Sequence, residues 1–93
     1  MSSDRLSFVP KLAKKARLRF DRHSGGYMIV YPERGLALNA SAAAIAKRCD
    51  GTRNVGEIVI EVAREAGEAD REGVTRDVLA FVEQLAQKGL LEP

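Results

Sequence analysis

The residue types that most often carry catalysis or bind metals are scarce in this chain. His23 is the only histidine, in a turn-forming stretch beside Gly25 and Gly26, and Cys49 is the only cysteine. Metal sites built from histidine and cysteine take three or four ligands, and a nucleophilic thiol needs an activating neighbour. We therefore interpret His23 as a solvated turn residue and Cys49 as a buried thiol. We predict no catalytic residue, no metal and no cofactor.

The acidic residues also lack a catalytic arrangement. They lie between apolar stripes in the later part of the chain, as the solvated faces of helices do, at Glu57, Glu61, Glu65, Glu72 and Glu83. The two adjacent glycines do not have the spacing of a phosphate-binding loop. These patterns favour a binding module over an enzyme.

Length and composition limit the location and size of the protein. A chain of 93 residues predicts one domain. The longest apolar run is far shorter than the roughly 20 residues that a membrane span needs, and the N-terminus lacks the apolar region of a secretion signal. A single cysteine excludes an internal disulfide. We therefore expect a cytoplasmic protein without a membrane partner.

Charge is distributed unevenly along the chain. Residues 1–34 hold eight Lys and Arg against three Asp and Glu, whereas residues 35–93 hold seven against ten. The basic residues cluster at Lys11, Lys14, Lys15, Arg17, Arg19 and Arg22. Such a cluster favours an acidic partner.

The elements that must position a binding surface begin with three predicted strands. Residues 17–21 alternate polar and apolar types, as a half-buried strand does. Residues 27–31 are a continuous run of strand-forming residues, which indicates a strand covered on both faces or one in the middle of a small sheet. Residues 36–38 predict a short third strand at an edge. Residues 1–16 predict a loosely ordered basic segment, and 17–91 a single domain.

Two helices follow the strands. Asn39 has the side chain of a helix N-cap before a helix over 40–48. Asn54 and Glu57 have the spacing of a capping box for the second helix, which Gly67 closes. We expect Cys49 on the apolar side of the first of these helices.

The third predicted helix carries the strongest periodicity. It begins near Asp70 and ends before Gly89, with an apolar stripe at the three- and four-residue spacing of a helix: Val74, Val78, Phe81, Val82 and Leu85. Most of this stripe should face the core, whereas Leu79 and Val82 could face either the core or a neighbouring groove. The whole order, β-β-β-α-α-α, predicts an α+β fold like a winged helix-turn-helix, with a three-stranded antiparallel sheet followed by three helices.

Three blocks of sequence together resemble one family. They are the run Tyr-Pro-Glu-Arg-Gly-Leu-Ala-Leu-Asn at 31–39, the run Cys-Asp-Gly-Thr-Arg-Asn-Val at 49–55, and the helix from Asp77 to the Lys-Gly-Leu-Leu at 88–91. In this order and spacing they resemble PqqD, the peptide chaperone of pyrroloquinoline quinone biosynthesis. The resemblance runs over 12–91.

The resemblance implies a non-catalytic function. Members of this family bind the precursor peptide PqqA and present it to PqqE, a radical S-adenosylmethionine enzyme. The fold implied is the recognition element of ribosomal peptide pathways, in which the peptide adds a strand to the third β-strand, in a groove against the third helix.

Transferred to this sequence, the resemblance implies a peptide site with two walls. The strand wall is Leu36, Ala37, Leu38 and Asn39, and the helix wall is Arg76, Asp77, Ala80 and Gln84. The strand lacks an internal proline or lysine, so its backbone can pair with a guest strand. Arg76 could bind a carboxylate of an acidic guest.

Three alternatives stay open from the sequence. The first is a recognition element for a different ribosomal precursor. The second is a winged-helix DNA-binding domain, although the outer faces of the last two helices are too acidic to favour nucleic acid. The third is a small subunit that assembles through its helices, and a homodimer is possible.

Overall fold

The computed structural model describes residues 3–93, in which three strands and four helices form one layer of sheet and one of helices. The strands β1 (Arg17–Asp21), β2 (Gly26–Tyr31) and β3 (Arg34–Leu38) form an antiparallel sheet in that order. The helices are α1 (Ser3–Ser7), α2 (Ala40–Lys47), α3 (Val55–Ala66) and α4 (Arg71–Gln87). The predicted α+β fold is confirmed, with one additional short helix at the start.

The register of the sheet places its apolar residues on one face. Leu18, Ile29 and Leu36 lie opposite one another on neighbouring strands, and antiparallel partners share a face. Ile29 is completely buried there, and the two leucines pack against the same core. The strand β2 is therefore the middle strand, one of the two options open from the sequence. Its opposite face is open, because Val30 is 40% exposed.

The predicted helix caps are present. The Asn39 Oδ1 atom accepts a hydrogen bond from the Ala42 backbone N–H at 2.8 Å. Asn54 and Glu57 form the reciprocal capping box, each side chain accepting from the other's backbone N–H at 2.8 Å. Gly67 ends α3 with a φ of 67°, a conformation that glycine adopts without steric cost. These local bonds explain why the boundaries of α2 and α3 match those expected from the sequence.

Helix α4 is fixed at both ends. Asp70 caps its start by accepting from the Gly73 N–H at 3.1 Å. At its end Gly89 has a φ of 72°, and the Leu90 N–H donates to the Leu85 carbonyl at 2.9 Å. Leu90 is fully buried, and α4 turns four further buried apolar residues inward: Val78, Phe81, Val82 and Leu85. The helix is thus a docked element, as its periodicity predicted.

The N-terminal segment differs from the sequence-based prediction of a loosely ordered stretch. Ser3–Ser7 form α1, and the residues after it make backbone hydrogen bonds to distant parts of the chain. The Phe8 carbonyl accepts from the Val55 N–H at 2.8 Å, and the Ala13 N–H donates to the Leu90 carbonyl at 2.8 Å. Such bonds involve no side-chain pattern, so the sequence does not reveal them. For residues 1–2 the prediction lies outside the described residues.

A cluster of charged side chains joins α2, the following loop and α3. The Glu61 Oε1 atom accepts from Arg48 Nε at 3.0 Å and from Arg53 Nε at 2.9 Å. Arg48 also donates to the Ala44 carbonyl, and Arg53 forms an ion pair with Asp50 at 3.2 Å. The hydrogen bonds from Arg53, more than those from Arg48, lower the pKa of the Glu61 carboxyl below its ordinary value of 4.5.

This lowered pKa predicts how Glu61→Gln changes the acid stability of the fold. A carboxylate with a lowered folded-state pKa stabilises the protein above its ordinary pKa and loses that effect as the pH falls through the folded-state value. We expect the variant to melt below the wild type at neutral pH, and the two melting temperatures to converge as the pH falls below 4.5. Circular dichroism melts from neutral to strongly acidic pH measure this.

Glu83→Gln is the matched control, because Glu83 is an exposed acid that makes no ion pair with another described residue. It should follow the wild-type curve throughout. If Glu61→Gln lowered the melting temperature by the same amount at neutral and acidic pH, the charge of Glu61 would not contribute to stability.

Candidate functional site

A cleft of about 430 Å³ lies between strand β3 and helix α4. The end of β3, the first turns of α2 and one face of α4 contribute its walls, so three elements meet there. Its lining residues are Leu36, Ala37, Leu38, Asn39, Ser41, Ala42, Ile45, Asp77, Ala80, Phe81 and Gln84.

The backbone of β3 presents unpaired hydrogen-bonding groups at this edge. Strands β2 and β3 are joined by a two-residue turn, because Tyr31 pairs with Arg34. A turn of this kind closes on a hydrogen-bonded pair, and antiparallel pairs alternate from there. Gly35 and Ala37 therefore fall at positions whose N–H and C=O groups point away from β2. Because β3 is an outer strand of the sheet, these groups are available to a further strand.

The floor of the cleft is apolar. Ile45 is 2% exposed and Phe81 is 9% exposed, and both belong to the main core. Leu36 and Leu38 are half-buried and pack against that core from the strand side. The floor of the cleft therefore suits apolar groups.

One face of α4 forms the second wall. Asp77, Ala80, Phe81 and Gln84 follow the three- and four-residue spacing that places helix residues on one face. Ala80 is exposed and small, so it leaves space for a backbone to approach the helix. The polar groups of the rim are Asp77 and Gln84 on this side and Asn39 on the strand side.

The structure brings together seven of the eight residues predicted for the peptide site. Arg76 is the exception, because it lies in a separate concavity with Arg71, Glu72 and Thr75. Successive helix residues are rotated by about 100°, and this rotation turns Arg76 away from the cleft while Asp77 faces it. The placement of Arg76 on the cleft wall is therefore wrong.

Four lining residues did not appear in the sequence-based site: Ser41, Ala42, Ile45 and Phe81. Phe81 was expected only as a core residue, and it and Ile45 belong to both the core and the floor. The sequence does contain a clue to the α2 residues. A helix that starts directly after an edge strand must place its first turns beside that edge.

Helix α4 also borders a second cleft on its other side, of about 350 Å³. Phe8, Val55, Leu79 and Val82 line it, with Glu83 among the other lining residues. Leu79 and Val82, which the sequence could not assign, thus both lie on the side of α4 that faces away from the β3 cleft.

Neither residue considered for catalysis lines this cleft. His23 is exposed in the turn between β1 and β2. Cys49 is buried, and burial, with a smaller effect of the Asp50 charge, raises the pKa of its thiol to about 12. Among the described residues no group of three or more His, Cys, Asp or Glu side chains could hold a metal ion. No helix among them is both long and apolar enough to cross a bilayer.

Comparison with known proteins decides the family. The family model described as coenzyme PQQ synthesis protein D (PqqD) matches residues 26–91. This chain belongs to the PqqD family. The match confirms the resemblance seen in the three sequence blocks, and it confirms the prediction that the chain is not an enzyme.

Individual relatives of PqqD type cover nearly the whole chain. A protein of Stutzerimonas stutzeri (strain A1501) named PqqA binding protein is 35% identical over 92 residues, which span 99% of this chain and 98% of the relative. One of the same name from Rhodopseudomonas palustris (strain TIE-1) is 42% identical over 82 residues, 88% of this chain and 79% of the relative.

A solved structure agrees with the fold. The PqqD truncation of Methylobacterium extorquens PqqCD, determined by NMR in solution, superposes with a TM-score of 0.77 at 31% identity, covering all of both chains. That protein is described as a functional and stand-alone recognition element for ribosomally synthesized and post-translationally modified peptides. The similarity confirms the sheet-and-helix arrangement that forms the cleft.

The double role of Phe81 in core and cleft generates a prediction about stability. Phe81→Ala should lower the free energy of unfolding by about 3–5 kcal/mol, because it removes a buried ring from the core. Urea denaturation followed by circular dichroism measures the change. Gln84→Ala, one turn further along the same face and exposed, should change stability by less than about 0.5 kcal/mol. A Phe81→Ala protein as stable as the wild type would show that the ring does not support the core.

Proposed function

We propose that this protein is a precursor-peptide recognition element that binds a PqqA-like peptide and presents it to a radical S-adenosylmethionine enzyme of the PqqE type. The peptide would bind as an added strand along β3, in the cleft beside α4. The observation that carries this proposal is the unpaired edge of β3 above an apolar floor, in a chain of the PqqD family.

The dimensions of the cleft suit one extended guest strand. The strand wall, from Leu36 to Asn39, is about 10 Å long at the rise of a β-strand. The helix wall, from Asp77 to Gln84, is also about 10 Å long at the helical rise. A guest strand would lie about 4.8 Å from β3 and bond to its free backbone groups at Gly35 and Ala37. Its alternate side chains would then point to the apolar floor.

The relatives support the choice of guest. Two relatives that cover most of this chain are named PqqA binding protein, and the PqqD structure from Methylobacterium extorquens is described as a functional recognition element. In this proposal the chemistry belongs to the partner enzyme, and the protein supplies only binding and orientation. We place this function in the cytoplasm, where a single buried thiol stays reduced.

Binding to DNA through α3 is physically disfavoured. In winged-helix proteins a helix enters the major groove with basic and amide side chains. The exposed residues of α3 include Glu57 and Glu65, which repel phosphate. A ribosomal precursor other than a PqqA-like peptide would use the same cleft, so the identity of the guest must be tested directly.

An NMR titration of the labelled protein with a PqqA-type precursor peptide tests the proposal. We expect shift changes at Gly35–Asn39 and along the Asp77–Gln84 face, saturating at one peptide per chain. Sedimentation of the same samples reports any homodimer. An unchanged spectrum at high peptide concentration would exclude this peptide as the guest. Saturation with shift changes confined to α3 would exclude this cleft as the binding site.

Ala37→Pro tests strand addition itself. The N–H of Ala37 points away from β2, so proline removes a bond to the guest strand but none to β2. We expect about tenfold weaker peptide binding, because one hydrogen bond is lost and the ring stands against the guest, with a loss of stability below about 1 kcal/mol. Isothermal calorimetry and thermal melts measure the two effects.

Ala37→Val is the control for this prediction. It keeps the N–H and adds volume on the exposed face of the sheet, away from the helices, so it should bind the peptide like the wild type. If the valine and proline variants lost affinity equally, side-chain volume rather than backbone pairing would be responsible.

A further inference from the structure

The β3 cleft has an uneven distribution of charge. Among the described residues that line it, Asp77 alone is charged, and the others are apolar or neutral polar. Asp77 lies on the helix wall, next to the small Ala80 and one turn before the Phe81 ring of the floor. A guest strand in this cleft would therefore meet one negative charge beside an apolar surface.

The Asp77 carboxylate has no partner within the described chain. No ion pair or hydrogen bond between described residues includes it. Its neighbours at three and four residues along α4 are Gly73, Val74, Ala80 and Phe81, none of which carries a charge. The carboxylate of Glu61, in contrast, forms ion pairs with two arginines. Asp77 is thus an acid beside an apolar floor with its pairing capacity unused.

We propose that Asp77 selects a guest peptide that carries a lysine or arginine, which pairs with this carboxylate when the peptide lies in the cleft. The inference rests on the proposed function and names a feature of the guest. Asp77 is exposed, so its pairing with a guest cation would have the modest strength of a surface ion pair. The requirement is local, so a guest that is acidic overall can meet it with one basic residue.

The geometry also predicts the spacing in the guest. Asp77 and Phe81 are four helix residues apart, a rise of about 6 Å. Two residues along an extended strand span about 6.6 Å and point to the same side. If the guest strand runs alongside α4, its basic residue would lie near Asp77 and an apolar residue, two positions away, would lie over Phe81. The sequence-based expectation was that Arg76 binds a carboxylate of the guest, but Arg76 lies outside the cleft. The charge in the cleft is the opposite one, that of Asp77.

A charge exchange between protein and peptide tests the inference. The probes are a PqqA-type precursor peptide and variants of it in which each lysine or arginine is changed to glutamate. We expect Asp77→Asn to bind the unchanged peptide about three- to fivefold more weakly than the wild type does. Asp77→Lys should bind it more weakly still. One glutamate variant of the peptide should regain affinity for Asp77→Lys while losing affinity for the wild type. Added salt should reduce all of these differences.

Glu83→Lys is the matched control. It makes the same change of charge on the same helix, at a residue that lines the second cleft, and it should bind the unchanged peptide like the wild type. Two outcomes would overturn this inference and leave the proposed function standing, provided that the wild type binds the peptide. In one, Asp77→Lys binds as tightly as the wild type. In the other, Asp77→Lys binds more weakly but no glutamate variant of the peptide restores its affinity. No binding by the wild type would overturn both.

Discussion

The burial of α4 is the interaction on which the rest of the structure depends. Its inward residues complete the core under the sheet, with Val78 and Leu85 fully buried. The end of the helix is then held by Leu90, whose N–H bonds back to Leu85 and whose carbonyl accepts from Ala13 in the N-terminal segment. Because α4 is held at both ends and packed on the core, one of its faces lies beside β3 with the cleft between them.

The strand β3 meets two opposing requirements. Its inward leucines pack into the core and hold the strand in place, while the proposed strand addition requires its outer backbone edge to stay unpaired. Alternation of side chains and of backbone bonds allows both, because Leu36 and Leu38 bond to β2 whereas Gly35 and Ala37 face the edge. An open edge also invites pairing with other chains. The strand limits this risk by being only five residues long and by starting with a charged residue, Arg34.

The sequence predicted what local patterns encode, which is most of the fold and the two walls of the cleft. These patterns depend on residues close together in the chain, so the sequence alone predicts them. They are the caps at Asn39 and Asn54, the glycine in the αL conformation after α3, and the apolar stripe of α4. Arg76 was misplaced because one residue of helix rotates a side chain by about 100°. The N-terminal segment was misjudged because its bonds join backbone atoms to distant residues. Glu61 bonds to Arg48 and Arg53 at separations that no helix spacing indicates.

Affinity and selectivity must come from different parts of this site. Backbone bonds to an edge strand are available to almost any extended peptide, since every residue except proline offers the same groups. They can hold a guest but cannot choose one. In the proposed complex, the choice of guest therefore lies with the side chains around the cleft: the floor of Ile45 and Phe81 would favour apolar groups, and the unpaired Asp77 would favour a cation. Because one of these contacts is electrostatic and the other hydrophobic, salt weakens the first and leaves the second nearly intact, so the two parts of recognition can be separated in a single titration series.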